Sequence, residues 1–541
     1  MDGTGSRLRK KAQKRGRANP RGDTSPAQRS GPGYTWVLPA VAAFAIFVSL
    51  STVLFGIIVN DEGVTTMSAW RVTQGQIPYR DFFSIITPFS FYYLALAFKV
   101  GGVCILTERI AGALLGVLLV LLTARLSKAY ISLPLFAALP AAALCASGVS
   151  LWPFPSHHWL AGVLVLGALL CAERALAHRP FLWSAAAGSL ASLAFWSLQD
   201  QGAYLWIGAA LLLLPWLGKE KSLRSAAGWL AGGVLASLPF LLLTLKVPAS
   251  TLWYDLVGFN LTAYREANDS AFVSSFKEFY GLWTSGGWSQ APLYMGNVIF
   301  SSVLTILMPM LCVPLAIWGW WRRWDSGPRC AVLAVGGLSF VGTILHRWAP
   351  VNLQWGQALP AVTAAWALSV WYARGGQRGR RISTGIALIM MASFLAYGAQ
   401  RAWAALNVER TIKVTASAGT LYANDPYQAS YVQETLDQIE HRLKPGAPLL
   451  TLGLPFFNFW TLRPNAVPYD WFMPPVYSTP QQTQEVIRAL DQRRQEWILT
   501  TRKFEATDQP FTQYLKSRYS RTWENPACGL WHRNADEPGG R

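Results

Sequence analysis

Apolar runs of about twenty residues recur between residues 34 and 400, separated by short loops rich in Lys and Arg. The hydrocarbon core of a bilayer is ~30 Å thick, and a helix needs about 20 apolar residues to cross it. No water is available there for stray backbone groups, so each run must satisfy its own N–H and C=O groups as a helix. Charged residues make up only 14% of the 541-residue chain, against about 25% in soluble domains. Mean hydropathy is +0.24. The expected fold is mainly α: a polytopic transmembrane helical bundle with a small C-terminal extracytoplasmic α/β domain. The 26 Trp and 19 Tyr suit interfacial belts, where amphipathic rings sit at headgroup level.

Loop charge sets the orientation. Lys and Arg cluster after alternate runs, at Arg125 and Lys128, Arg174 and Arg179, Lys219, Lys221 and Arg224, Arg322 and Arg323, and Arg374 to Arg381. By the positive-inside rule those ends are cytoplasmic. Eleven spans follow, at about 34–59, 106–124, 131–150, 159–176, 181–198, 202–217, 226–245, 294–318, 329–345, 355–372 and 382–400. The N-terminus is then inside and the C-terminus outside. Segment 60–104 reads as a long first outer loop carrying interfacial or re-entrant helices, because a full crossing at 86–103 would clash with the charge bias. Beyond residue 403 the chain turns polar, and its periodicity predicts helices at 427–443, 480–494 and 510–518, strands at 448–452 and 497–501, and a terminal hairpin at 519–533.

The net charge of +19 does not point to nucleic acid. Nine Lys/Arg and two Asp/Glu fall in the first thirty residues among Gly, Pro and Ser, so residues 1–33 read as a disordered basic cytoplasmic tail. The other cations serve topology and anionic lipid. The run after the tail is too long for a secretory signal and lacks a cleavage site. The six cysteines are scattered without a CxxC, giving neither a disulfide framework nor a zinc site.

The first run ends at Asn60-Asp61-Glu62-Gly63. A charge at bilayer depth costs about 3 kcal/mol or more, so two adjacent carboxylates there mark function or the water boundary. On this topology Asp61 and Glu62 share the outer face with Tyr79, Arg80, Asp81, His157, His158, Gln199, Asp200, Lys246, Arg265, His346 and Arg347. Each has a plain structural alternative: Tyr79-Arg80-Asp81 as a salt-bridged turn, the histidines as interfacial hydrogen-bonders, Gln199-Asp200 as a turn or cap, Lys246 as a snorkelling cation, and His346-Arg347 as a span anchor. Together they suit transfer from a lipid-linked phosphate. The leaving phosphate is already a stabilised anion, so one carboxylate can deprotonate the acceptor while cations hold the phosphate. Asp61, at the C-terminal end of the first helix, would also meet the negative end of its dipole, which strengthens a base.

The stretches Asn60-Asp61-Glu62-Gly63, Ala69-Trp70-Arg71, Gly75-Gln76-Ile77-Pro78-Tyr79-Arg80-Asp81 and Thr87-Pro88-Phe89 resemble the first outer loop of GT-C integral-membrane glycosyltransferases. Within that group they resemble bacterial protein O-mannosyltransferase-like (glycosyltransferase family 39-like) and aminoarabinose transferase-like enzymes. His157-His158-Trp159, Gln199-Asp200-Gln201-Gly202 and the stretch from Arg463 to Asp470 are similar to recurring elements of that group. The resemblance implies Asp61 as the catalytic carboxylate with Glu62 as its partner, and an inverting transfer from a polyprenyl-phosphate sugar to an extracytoplasmic lipid, glycan or protein. Lys246, Arg265, His346 and Arg347 are assigned to the donor phosphate by sidedness alone. Tyr79, Arg80, Asp81, His157, His158, Gln199 and Asp200 are assigned to shaping the acceptor site. Beyond Asp61, Glu62, Asp81 and Asp200 no acidic cluster stands out, so no essential cofactor is expected, a divalent metal being the alternative. A transporter or flippase, or a polysaccharide-assembly protein of the envelope, is the rival reading. Transporters usually carry polar residues at mid-span and paired repeats, whereas this acidic pair lies at a span end.

Overall fold

The computed structural model describes residues 35–59, 61–148, 152–216, 219–264, 310–342, 357–407, 411–423, 425–474 and 477–535. Within them, four helices are long and apolar enough to cross a membrane: Ile105–Tyr130, His157–Ala177, Glu220–Leu245 and Gly376–Leu406. Shorter apolar helices at Val37–Ser51, Pro134–Ser147, Pro180–Phe195, Met310–Trp321 and Gly327–Phe340 pack among them. Ile105–Tyr130 explains its own placement. Leu106, Ile110, Leu114, Leu118 and Leu121 form an exposed apolar stripe at helical spacing, while Leu115, Leu119 and Leu126 are buried in the bundle. The Pro180–Phe195 and Lys219–Leu241 helices touch backbone to backbone. A Cβ on Gly232 would lie 1.9 Å from the Ala185 carbonyl oxygen, a close crossing of the small-xxx-small kind with Gly228 one turn earlier.

One sequence expectation changes here. The run 34–59 is not one helix. Val37–Ser51 stops after fifteen residues, where the Ser49 hydroxyl donates to the Ala45 carbonyl and the Thr52 hydroxyl to that of Val48. Gly56 then takes a left-handed φ of +94°. Phe55 pairs with Tyr422 of the C-terminal region, and a new helix, Asp61–Thr73, begins. Asp61 therefore lies at a helix N-terminus, where the dipole favours negative charge, and the dipole argument for a strengthened base falls away. Phe89–Gly101 has thirteen residues, a length of ~20 Å, and is too short to cross.

The C-terminal region follows the predicted pattern closely. Helices run Pro426–Arg442, Pro480–Gln492 and Pro510–Arg518. Among the described residues six strands occur: β1 (Ile412–Ala416), β2 (Gly419–Ala423), β3 (Leu450–Thr451), β4 (Trp497–Thr501), β5 (Tyr519–Glu524) and β6 (Cys528–Arg533). The main sheet has the order β3-β4-β6-β5, with β3 parallel to β4 and the other pairs antiparallel. The β1–β2 hairpin and the apolar helix Pro455–Trp460 were not anticipated. Both matter, because Met67, Ala69, Leu94, Phe98 and Ile105 from segment 60–104 and its flank share one core with Leu421, Phe456, Phe459 and Trp460. The C-terminal region thus packs directly on the helix that carries Asp61.

Candidate functional site

Asp61–Thr73 is nearly apolar-neutral in pattern, and specific contacts fix it in place. Glu62 is fully buried, and its carboxylate accepts two hydrogen bonds from Arg109, Nε to Oε1 at 2.6 Å and Nη2 to Oε2 at 2.8 Å. Arg109, also fully buried, donates in addition from Nη2 to the Gly56 carbonyl at 3.0 Å and from Nη1 to that of Val53 at 3.4 Å. The Thr66 hydroxyl bridges to Glu108 Oε1 at 2.8 Å. Burial pushes the Glu62 carboxyl above the usual carboxylate range, and the Arg109 guanidinium opposes that push. The next residue, Gly63, abuts Pro455–Trp460 so closely that a Cβ would sit 2.2 Å from the Phe456 amide nitrogen. At the other end Arg71 donates from Nε and Nη2 to Asp470 Oδ1 at 3.0 and 2.8 Å, from Nη2 to the Val467 carbonyl at 2.7 Å, and from Nη1 to Gln76 at 3.1 Å. The helix is pinned at both ends, to a membrane span and to the C-terminal region.

Asp61 and Glu62 therefore have different surroundings. Glu62 is sealed against Arg109, whereas Asp61, the residue before it, remains half-buried. Asp61, Val64 and Ser68 fall three and four residues apart, on one face of the helix. That face borders a recess of about 400 Å³ including its open mouth, containing an inner cavity of about 30 Å³. Phe83 and Phe259 form one wall, edge to face at 5.0 Å. Trp471 and Tyr477 form another, stacked at 4.4 Å. Asp470 closes the floor and is 2% exposed. Among the described residues Asp470 Oδ2 and Trp471 Nε1 are buried with no hydrogen-bond partner.

The other expected residues serve varied ends. Tyr79 takes a left-handed φ of 66° and donates its hydroxyl proton to the Ile86 carbonyl at 2.7 Å. Arg80 forks onto Asp81 at 2.8 and 2.7 Å, and Asp81 Oδ2 accepts from the Ile77 amide at 2.7 Å, which holds the Asp81 carboxyl below its usual range. This trio is the salt-bridged turn. His157 and His158 open a span behind a Ser156 cap, with ring centres 4.2 Å apart. Gln199 ties the recess roof to the following segment, donating to the carbonyls of Ile85 at 2.8 Å and Leu256 at 3.3 Å. Asp200 Oδ1 accepts from the Gln201 amide at 2.6 Å. Lys246 is exposed. Arg265, His346 and Arg347 lie outside the described residues.

Sequence reasoning left Arg109, Glu108, Arg71, Asp470 and Asp255 out of the site. Glu108-Arg109 inside an apolar run was a signal, as a charge pair there demands partners. Asp255 sits alone in the apolar stretch 247–259, beside Tyr79 and Tyr469, and burial pushes its carboxyl up to about 7.

No family model and no curated protein matches the sequence. Solved structures do match the fold. The crystal structure of ArnT from Cupriavidus metallidurans bound to undecaprenyl phosphate is 15% identical, with a TM-score of 0.57, over 95% of this chain and 100% of that one. The apo state of the same protein is 14% identical, with a TM-score of 0.55, over 92% and 97%. At that identity the likeness concerns architecture: the chain shares the fold of these structures, a polytopic helical bundle followed by a C-terminal domain.

Proposed function

We propose that the protein is a glycosyltransferase moving a monosaccharide from a polyprenyl-phosphate donor to an acceptor on the outer face of a bacterial inner membrane. The observation that carries this reading is the placement of Asp61: half-buried at the start of a helix, while its neighbour Glu62 is sealed against Arg109. The shared architecture supports it, since one structure with that fold binds undecaprenyl phosphate. The Asp61 carboxylate takes the proton from an acceptor hydroxyl or amine. That oxygen or nitrogen attacks the anomeric carbon, the bond from that carbon to the phosphate oxygen breaks, and the prenyl phosphate leaves with the electron pair. Attack opposite the leaving group inverts the configuration. Glu62 and Arg109 act as positioning residues that hold Asp61 in place. Lys246, with Arg265, His346 and Arg347, is assigned to the departing phosphate. The leaving group needs no protonation, so the scheme requires no essential metal. The N-terminus is cytoplasmic and the C-terminal region extracytoplasmic, where it contributes to acceptor recognition.

The test is transfer from a radiolabelled polyprenyl-phosphate sugar in proteoliposomes. Asp61→Asn should abolish transfer while leaving expression and the unfolding temperature unchanged. Transfer that survives the substitution would remove Asp61 as the base. Reporter fusions after Gly218, after Arg381 and at the C-terminus should read inside, inside and outside.

A further inference from the structure

A cavity of about 240 Å³ lies between four helix ends, away from the Asp61 helix. The last turns of His157–Ala177 line it with Ala172 and Ala175, and the first turns of Pro180–Phe195 with Ser184. The end of the helical stretch from Gln199 to Trp216 and the start of Lys219–Leu241 complete the walls, with Ala209 and Ala226. Small side chains on every side leave the space open, and the lining is almost wholly apolar. An apolar cavity of ~150 Å³ already stays dry and takes up a molecule the size of benzene. Left empty, a cavity of this size forfeits packing on all its walls. One wall is a π-helical turn, Ala209–Leu213, and such turns within α-helices recur at functional sites. Ala210 and Leu230 on the rim are exposed, so the cavity opens sideways between two helices, toward lipid.

The geometry points to a binding site for one acyl chain of a phospholipid with an anionic headgroup, in the leaflet opposite Asp61. Depth comes first. Gly112, three residues beyond Arg109, lies so close to the chain before His157 that a Cβ would sit 2.9 Å from the Phe154 carbonyl carbon. His157 therefore starts its helix near the level of the Glu62–Arg109 pair. Ala172 and Leu176 follow ~22 and ~29 Å further along the axis, close to the full ~30 Å of the hydrocarbon core. The site is thus separate from the prenyl-phosphate chemistry proposed at Asp61 and does not rest on it. On the proposed topology its leaflet is the cytoplasmic one. Charge comes second. The helix ends at the mouth carry Arg174, Arg179, Lys221 and Arg224 against Glu173 and Glu220. Arg174 is held over the Trp183 ring at 4.7 Å, beside Ser184, and Arg224 pairs with Glu220 at 2.6 Å. Arg179 and Lys221 are exposed. This excess of cations favours a headgroup of net negative charge over a zwitterionic one. Reach comes third. Ser225 and Leu230 lie ~6 and ~14 Å along the helix from Lys221, so a headgroup phosphate at Lys221 leads its acyl chain past Ser225 and into the cavity.

The test is native mass spectrometry of the purified full-length protein, titrated with phosphatidylglycerol or with phosphatidylcholine of identical acyl chains. Phosphatidylglycerol should bind about tenfold more tightly, since each cation at a membrane surface is worth a few-fold in affinity. Substituting Arg179→Gln, Lys221→Gln and Arg224→Gln together should cut that preference to about twofold. These three side chains are exposed, so the triple variant reads the headgroup without disturbing the cavity. Ala226→Phe, which fills the cavity, should weaken both lipids about tenfold. Where Ala226→Phe lowers the unfolding temperature, Ala172→Leu takes its place. Equal binding of the two lipids by the wild-type protein, or a preference that survives the triple substitution, overturns the anionic headgroup. Unchanged binding in Ala226→Phe and Ala172→Leu removes the cavity as the site of the chain. Displacement of phosphatidylglycerol by equimolar undecaprenyl phosphate assigns the cavity to that lipid and overturns the phospholipid reading.

Discussion

Arg109→Met tests the lock that holds Asp61. The substitution keeps an unbranched apolar stem and removes the guanidinium. Glu62 then loses the two hydrogen bonds it accepts from Arg109, at 2.6 and 2.8 Å, and the carbonyls of Gly56 and Val53 lose that donor. Both partners are 0% exposed, so water cannot replace what is lost. Removing one member of such a buried pair typically costs about 3–5 kcal/mol. Glu62→Met should cost less, because Arg109 keeps its two carbonyl acceptors and lies beside Glu108. The double variant removes both charges together and should recover much of the loss, as apolar replacements of buried pairs often do. The expected coupling energy is about 2–3 kcal/mol. The assay is SDS-titrated unfolding of all four proteins in mixed micelles at pH 7, with donor transfer measured in parallel. Arg109→Met should also lose transfer, because Asp61 lies one residue from Glu62, and the double variant should regain part of it. A cost below about 1 kcal/mol for Arg109→Met, or a double variant as unstable as the sum of its singles, would refute the lock.

Two further perturbations address the same architecture. In Gly63→Ala the new methyl would sit 2.2 Å from the Phe456 amide nitrogen, so the two helices must separate. A loss of about 1–3 kcal/mol or more is expected from overpacking, and an unchanged unfolding temperature would show that this contact is dispensable. Asp255 has its carboxyl pushed up to about 7 by burial, so the native state resists ionising it while the unfolded chain does not. Asp255→Asn should change stability little below pH 4, become progressively more stabilising between pH 4 and 7, and level off above pH 7. The plateau is at most on the order of 4 kcal/mol from a three-unit shift. Thermal unfolding of wild type and variant across pH 4–8 checks this, and a gain that is flat with pH would exclude an ionisation penalty at Asp255.

The helix ends show where local pattern stops being informative. The apolar run 34–59 has the length of a span, yet its helix closes at Ser51. The reasons are a hydroxyl-rich exit, a left-handed Gly56 and a pairing of Phe55 with Tyr422, 367 residues away in sequence and absent from any local pattern. Asp61 was legible as a residue out of place at a membrane boundary, but its position at a helix start was not. By contrast, the strand Trp497–Thr501 and the helix Pro510–Arg518 fall where alternation and periodicity put them. Both elements carry a buried face against a nearby core, so their pattern is local. The Tyr79–Asp81 turn was readable for the same reason, since its partners lie within seven residues.

The sequence by itself determined that this chain builds a helical membrane bundle with a small mixed region after it. Apolar run length and the need of lipid-buried backbone to bond within its own segment are properties of neighbours along the chain. Only the tertiary structure decided which of 47 Lys and Arg side chains meets which carboxylate. Glu62 finds Arg109 across 47 residues, and Arg71 finds Asp470 across 399. A guanidinium fits any carboxylate equally well, so the choice comes from the packing that brings two distant backbones together, and that same packing separates Asp61 from Glu62.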